Sequence, residues 1–421
     1  MRHAITRGRS FLVATAFAVT LAACGGGGAV QPSSTPEPSS QPSSEAPTDA
    51  PTDAPTVGVP TTDTGAASLR AALQHKIEEH VYLAGIAIVT NLQGGDFEAA
   101  AGVLDLNSVD LGDTIDSVYA GAKDPFLELW RKHIGFFVDY TTARVGGDDA
   151  AAQQAKDDLD AYRADFDAFL AGANPNLTQG TVADLLLPHV QTVFATIDAA
   201  IAGDGTAFDK LRIAAQGGEP IATALAGAIA TQFPEQFDGT VEAPASALRS
   251  GLTNLLVEHT YLAGIAITQT LGETGGGEAA TATLDTNSVA LADAIDGVYD
   301  GAGDTFLELW RKHISFFVDY AVATAGGDDA AAQQAKDDLD TYRADFGAFL
   351  AGANPNLTQD AVADALVPHV ETVFAAIDAA VAGDSAVYER LYDAAQEMPA
   401  IADVLAGAIV TQFPENFAEN R

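Results

Sequence analysis

The chain has 421 residues with 58 acidic against 20 basic side chains, a formal net charge of −38. That excess argues against nucleic acid and against an anionic membrane surface as partners, because both are polyanions. It suits a solvated exterior that resists association, or one that gathers divalent cations diffusely. A single Cys leaves no internal disulfide to hold the fold.

The first residues carry Arg2, Arg7 and Arg9, then an apolar run from Phe11 to Leu21, then Leu21-Ala22-Ala23-Cys24 and four glycines. A basic start, a short apolar stretch and small residues before the break make a signal peptide over 1–23, too short to span a bilayer. The run resembles the lipobox of bacterial lipoproteins, which implies a mature N-terminus at Cys24 carrying acyl chains and a membrane contact through that anchor alone. Two or more chains hold a protein stably at about 0.8 kcal/mol per buried methylene. The implied location is the outer face of the cell membrane, with an envelope protein as a possible partner.

Residues 24–65 are mostly Gly, Ser, Pro, Thr, Ala and acid, and read as a tether with too little apolar surface to offset its ordering entropy. The remainder is too long for one ordinary core and suits two domains.

Those two domains are visible as an internal repeat. FLELWRKHIGFFVDY at 126–140 returns 180 positions later as FLELWRKHISFFVDY, and GGDDAAAQQAKDDLD stands unchanged at 146–160 and 326–340. HVYLAGIAI at 80–88 matches HTYLAGIAI at 259–267. The copies run over 66–238 and 246–418, joined by QFDGTVEAP. Even solvent-type polar runs are identical, so agreement between the copies says little about which residues matter.

Within each copy the punctuation predicts six helical segments. The first runs from Ser68 to Gln93; the second spans 97–120, with a break at Asn107-Ser108 where either side chain can cap a new start. The third follows Asp124-Pro125, read as an N-cap and a first-position proline. The fourth runs from Asp148 to Leu170 with a Leu159/Tyr162/Phe166/Phe169 stripe. The fifth starts at Thr178, with Thr178 and Thr358 as caps, and the sixth occupies 206–232. No stretch alternates with period two, so the fold class is all-α, two tandem up-and-down bundles.

Six of the eight histidines form two sets, His80/His133/His189 and His259/His313/His369, each on an apolar helix face. They lie on the first, third and fifth helices, which run parallel in an up-and-down bundle, and each sits 10–12 residues from its helix start, roughly 15–18 Å along the axis. Three imidazoles at one level are what a Zn, Cu or Fe site requires, with Glu79 and Glu258 as carboxylate candidates. The competing readings are buried core histidines partnered by Tyr82, Tyr140, Thr192 or water, and a pH-responsive core. The spacing departs from di-iron bundles, since no Glu stands three residues before any of these histidines. Pro188 and Pro368, just before His189 and His369, predict a local bend in the fifth helix that aims the imidazole or fits a bulky neighbour.

An acid-His pair on the first helix, a basic-His pair on the third, Asn-Pro after the fourth and Gln-Phe-Pro at the end resemble uncharacterised helical proteins of Gram-positive bacteria. That resemblance covers each repeat and implies a single-domain bundle per copy, with no reaction attached. It also implies a histidine in the sixth helix, where this chain reads AAQGGEP at 214–220 and AAQEMPA at 394–400. Serine-hydrolase, zinc-protease, phosphate-loop and calcium-loop signatures are absent, so no catalytic residue is assigned. Two functions remain: a non-catalytic envelope binding or spacer module, and transition-metal binding, storage or delivery.

Overall fold

A computed structural model describes residues 60–418 apart from position 273. Cys24, the signal segment and most of the tether lie outside those residues. The first repeat contains α1 (Gly65–Leu92), α2 (Phe97–Val118), α3 (Lys123–Gly146), α4 (Asp149–Ala173), α5 (Thr181–Ile201), α6 (Thr206–Gln216) and α7 (Glu219–Gln232). The second contains α8 (Pro244–Leu271), α9 (Gly277–Asp296), α10 (Gly303–Gly326), α11 (Asp329–Ala353), α12 (Gln359–Ala365), α13 (Val367–Ala382), α14 (Val387–Gln396) and α15 (Met398–Gln412), then a 3₁₀ turn at Pro414–Asn416. The fold is all-α, and no strand occurs among the described residues. From α1 to α6 and from α8 to α15 each helix packs on the next, and α7 and α15 return to α1 and α8 to close each bundle.

Several predicted boundaries move, each for a local reason. Helix α2 is unbroken at Asn107-Ser108: the Ser108 hydroxyl donates back to the Leu104 carbonyl at 2.9 Å. Asn107, instead of capping, turns its amide into the bundle and donates to the Lys76 carbonyl and to Glu79 Oε2. Asp124 does not cap α3; that role passes to Asp116, whose Oδ1 accepts from the Gly121 and Lys123 amides. The sixth segment divides at Gly217-Gly218, and a Cβ on Gly218 would stand 2.7 Å from the Ile77 methyl, so glycine allows the turn to pass close to α1.

The fifth helix starts differently in the two copies. In the first, buried Asp167 of α4 accepts from the Gly180, Val182 and Ala183 amides at 2.7, 2.9 and 3.3 Å, and Gly180 takes φ +94°. Thr178 therefore has no capping role. In the second, the counterpart of Asp167 is Gly347, and Thr358 caps by accepting from the Ala361 amide. Pro188 sits inside a continuous α5, whereas before Pro368 the helix is interrupted at Leu366.

The two bundles share a buried interface built on α1 and α8, the most extensive helix pair in the molecule. Contacts ascend together along both helices, so they run parallel: Gln74 with Asn254, then Tyr82 stacked on Tyr261 at 5.5 Å, then Gln93 with Gln269. Buried on its flank as well as its core face, α1 has no clean amphipathic stripe. The joint is part of this packing, since Arg70 donates to the Val241 carbonyl and the Gly65 amide to Asp238. So is the end of the predicted tether: Thr62 is buried, and its carbonyl accepts from Arg249 of the second repeat. Residues 60–64 thus belong to the folded body, and the tether prediction ran too far.

Candidate functional site

In the first repeat α1, α3 and α5 deliver His80, His133 and His189 to the walls of one small cavity of about 70 Å³. In the second, α8, α10 and α13 deliver His259, His313 and His369 to a cavity of about 240 Å³. All six rings are buried. Each projects from the apolar side of its helix, as the spacing of its neighbours requires.

The close contact in each set is between the first two members. His80 Nε2 and His133 Nε2 are 3.2 Å apart, and His259 Nε2 and His313 Nε2 are 3.4 Å apart. Aromatic rings hold this pair. Trp130 lies 4.7 Å from His80 and 4.6 Å from His133 between ring centres, and Tyr162 lies 5.2 Å from His133. Trp310 and Tyr342 repeat the arrangement.

Among the Nδ1 atoms of these rings only that of His189 makes a hydrogen bond. His189 Nδ1 is 3.3 Å from the Ala214 carbonyl, to which its N–H donates. The Trp130 carbonyl lies beside His133, and the Asn107 side chain beside His80. Asn107 Oδ1 and His80 Nδ1 are both buried and neither makes a hydrogen bond. The Asn287 side chain lies beside His259 and the Trp310 carbonyl beside His313, again with both Nδ1 atoms unpartnered. Each Nε2 pair stands at hydrogen-bond distance, with donor and acceptor set by the tautomers, and a ring protonated on Nδ1 turns an Nε2 lone pair toward its neighbour. Two facing lone pairs at this distance repel unless a proton or a cation lies between them.

Electrostatics keep the rings neutral. Burial pushes His80 down to about 3, helped by His189 and opposed by the Asn107 side chain. Burial and His369 bring His259 to about 3, against Asn287. His133 and His313 lie well below the ordinary range through burial and the charge of the other two rings in each set. His369 falls to about 4 by burial, and burial also lowers His189.

The third imidazole shares the cavity without completing a cage: no three His, Cys, Asp or Glu side chains already form a metal-holding group among the described residues. The predicted carboxylates also lie elsewhere. Glu79 and Glu258 follow the interface, because adjacent helical residues point about 100° apart. Glu79 accepts from Tyr261, Gln396 and Asn107 at 2.8, 2.7 and 2.9 Å. Glu258 accepts from Arg212, Gln216 and Asn287 at 2.6, 3.1 and 2.9 Å. None of the three side chains predicted as partners of the histidines is used: Tyr82 stacks on Tyr261, Tyr140 donates to Asp198, and Thr192 bonds the Pro188 and His189 carbonyls.

Sequence reasoning missed the two asparagines, which link each His pair to the interface. It also missed Glu78, buried beside Glu79, Glu258 and Asn254, whose carboxyl is raised well above the usual range by burial and then by Glu258. Two consecutive glutamates in an otherwise apolar helix were the available signal. No protein-family model, curated protein or solved structure matches the chain.

Proposed function

We propose that each bundle is a transition-metal binding centre of an envelope lipoprotein, tethered through Cys24, for holding or handing on the metal and not for catalysis. One observation carries the reading: two neutral imidazoles in each repeat bring Nε2 atoms to 3.2 and 3.4 Å. Two ligands at 2.0–2.1 Å from a tetrahedral Zn stand roughly 3.3–3.4 Å apart. The Asn107 and Asn287 side chains and the Trp130 and Trp310 carbonyls, near these rings, are groups of the kind that orient metal-binding histidines. His189 and His369, on the same cavity walls, supply a third nitrogen by a ring rotation, and a small exogenous ligand fills the fourth position.

Elemental analysis of protein purified without chelator tests this directly. Two transition-metal ions per chain, lost in the His133→Ala/His313→Ala double variant, are expected. No metal, together with no rise in melting temperature on adding Zn, Cu or Fe salts, refutes it. A spacer or protein-binding module of the envelope, the other expectation from the sequence, is what then remains.

A further inference from the structure

The two cavities differ in size, although the repeats share most of their sequence. Phe97 opens α2 and lines the first cavity. Its counterpart at the start of α9 is Gly277. Around Gly277 the surface forms an open cleft that includes Thr270 and Thr281, and the same two threonines line the inner cavity of the second repeat. Thr270 and Thr281 replace Asn91 and Ala101. The surface cleft and the inner cavity of the second repeat thus meet at Thr270 and Thr281, beside Gly277. In the first repeat a phenyl ring stands in its place.

The inner walls are Ala263, Ile267, Phe317, Ala321 and Val373, which favour an apolar body. Polar groups stand at depth: His369 Nδ1 is buried without a partner, as are His259 Nδ1 and His313 Nδ1, whereas His189, the counterpart of His369, bonds the Ala214 carbonyl. A dry cavity of roughly 150 Å³ takes a benzene ring. At about 240 Å³ the second cavity takes a ring with a substituent, and at about 70 Å³ the first does not.

We infer that the second repeat alone binds a small, mostly apolar molecule with a single hydroxyl head, entering between Thr270 and Thr281 and hydrogen-bonding His369. This inference does not require a metal, so it stands or falls separately from the metal proposal.

The probe is 4-fluorophenol, followed by ¹⁹F NMR on metal-free protein. Saturable binding of one equivalent per chain is expected. Thr281→Phe, a change at an exposed position that refills the mouth, should weaken it at least tenfold. Phe97→Ala should add a second equivalent, a gain that a misfolded protein cannot imitate. His369→Phe, which keeps an apolar ring, should reduce affinity for 4-fluorophenol more than for fluorobenzene. Two equivalents in the unaltered protein, no saturable binding, or indifference to both mouth variants would overturn the inference.

Discussion

Replacing Arg212 by Leu removes the cation that touches the buried Glu258 carboxylate. The guanidinium Nε stands 2.6 Å from Glu258 Oε1, and Glu258 is fully buried. Gln216 and Asn287 remain as neutral donors, while the Glu78 and Glu79 carboxyls crowd the same interface. Breaking one side of a buried ion pair costs about 3–5 kcal/mol, because the surviving charge is left uncompensated. Scaled to a folded body of this size, that is a loss on the order of 4–7 °C in melting temperature at pH 7. Urea and thermal unfolding give the number. Adding Glu258→Gln to Arg212→Leu should recover more than half of the loss, since the uncompensated charge is then gone. A single-variant loss below about 1 kcal/mol, or no recovery in the double variant, would refute the view that Arg212 neutralises a buried carboxylate between the repeats.

Two further outcomes follow from the same packing. Asp167→Ala should cost about 1–3 kcal/mol and speed hydrogen exchange at the Val182 and Ala183 amides, while the corresponding amides of the second repeat, where Gly347 stands, stay unchanged; equal exchange in both repeats would contradict the capping role. The histidines set a pH dependence whose sign is fixed by burial. Their folded pKa values lie below the unfolded value of about 6.5, so unfolding takes up protons; the stability from neutral burial is complete above pH ~6.5 and declines toward pH ~3. Each ring contributes a slope of about 1.4 kcal/mol per pH unit in that window, so His133→Phe/His313→Phe should flatten the profile between pH 6 and 5 by about 2–3 kcal/mol per unit. Identical slopes in both proteins would count against buried neutral imidazoles.

Most of the architecture was legible before any coordinates. Gly and Pro punctuation marks the helix ends, and apolar neighbours at −4, −3, +3 and +4 around His133 turn its ring inward. The convergence of α1, α3 and α5 followed from their parallel course in a bundle. What escaped was what depends on contacts distant in sequence. Asn107 looks like a cap because Asn often is one; only the approach of α1 makes it a bridge between Glu79 and His80. Asp116 and Asp167 cap helices other than their own, and local patterns cannot show that. Glu79 was assigned to the histidines because it adjoins His80 in sequence, yet a 100° step along the helix sends it into the second repeat. Segment 60–64 reads as tether from composition and is fixed by Arg249, nearly two hundred residues away.

The paired Nε2 atoms are the centre of the account, and X-ray absorption on the zinc-loaded protein tests them most directly. Scattering from at least two imidazoles per metal, with Zn–N distances of about 2.0–2.1 Å, is the predicted result. A first shell of oxygen alone, without the outer-ring scattering of imidazole, would contradict it and leave the six histidines as packing.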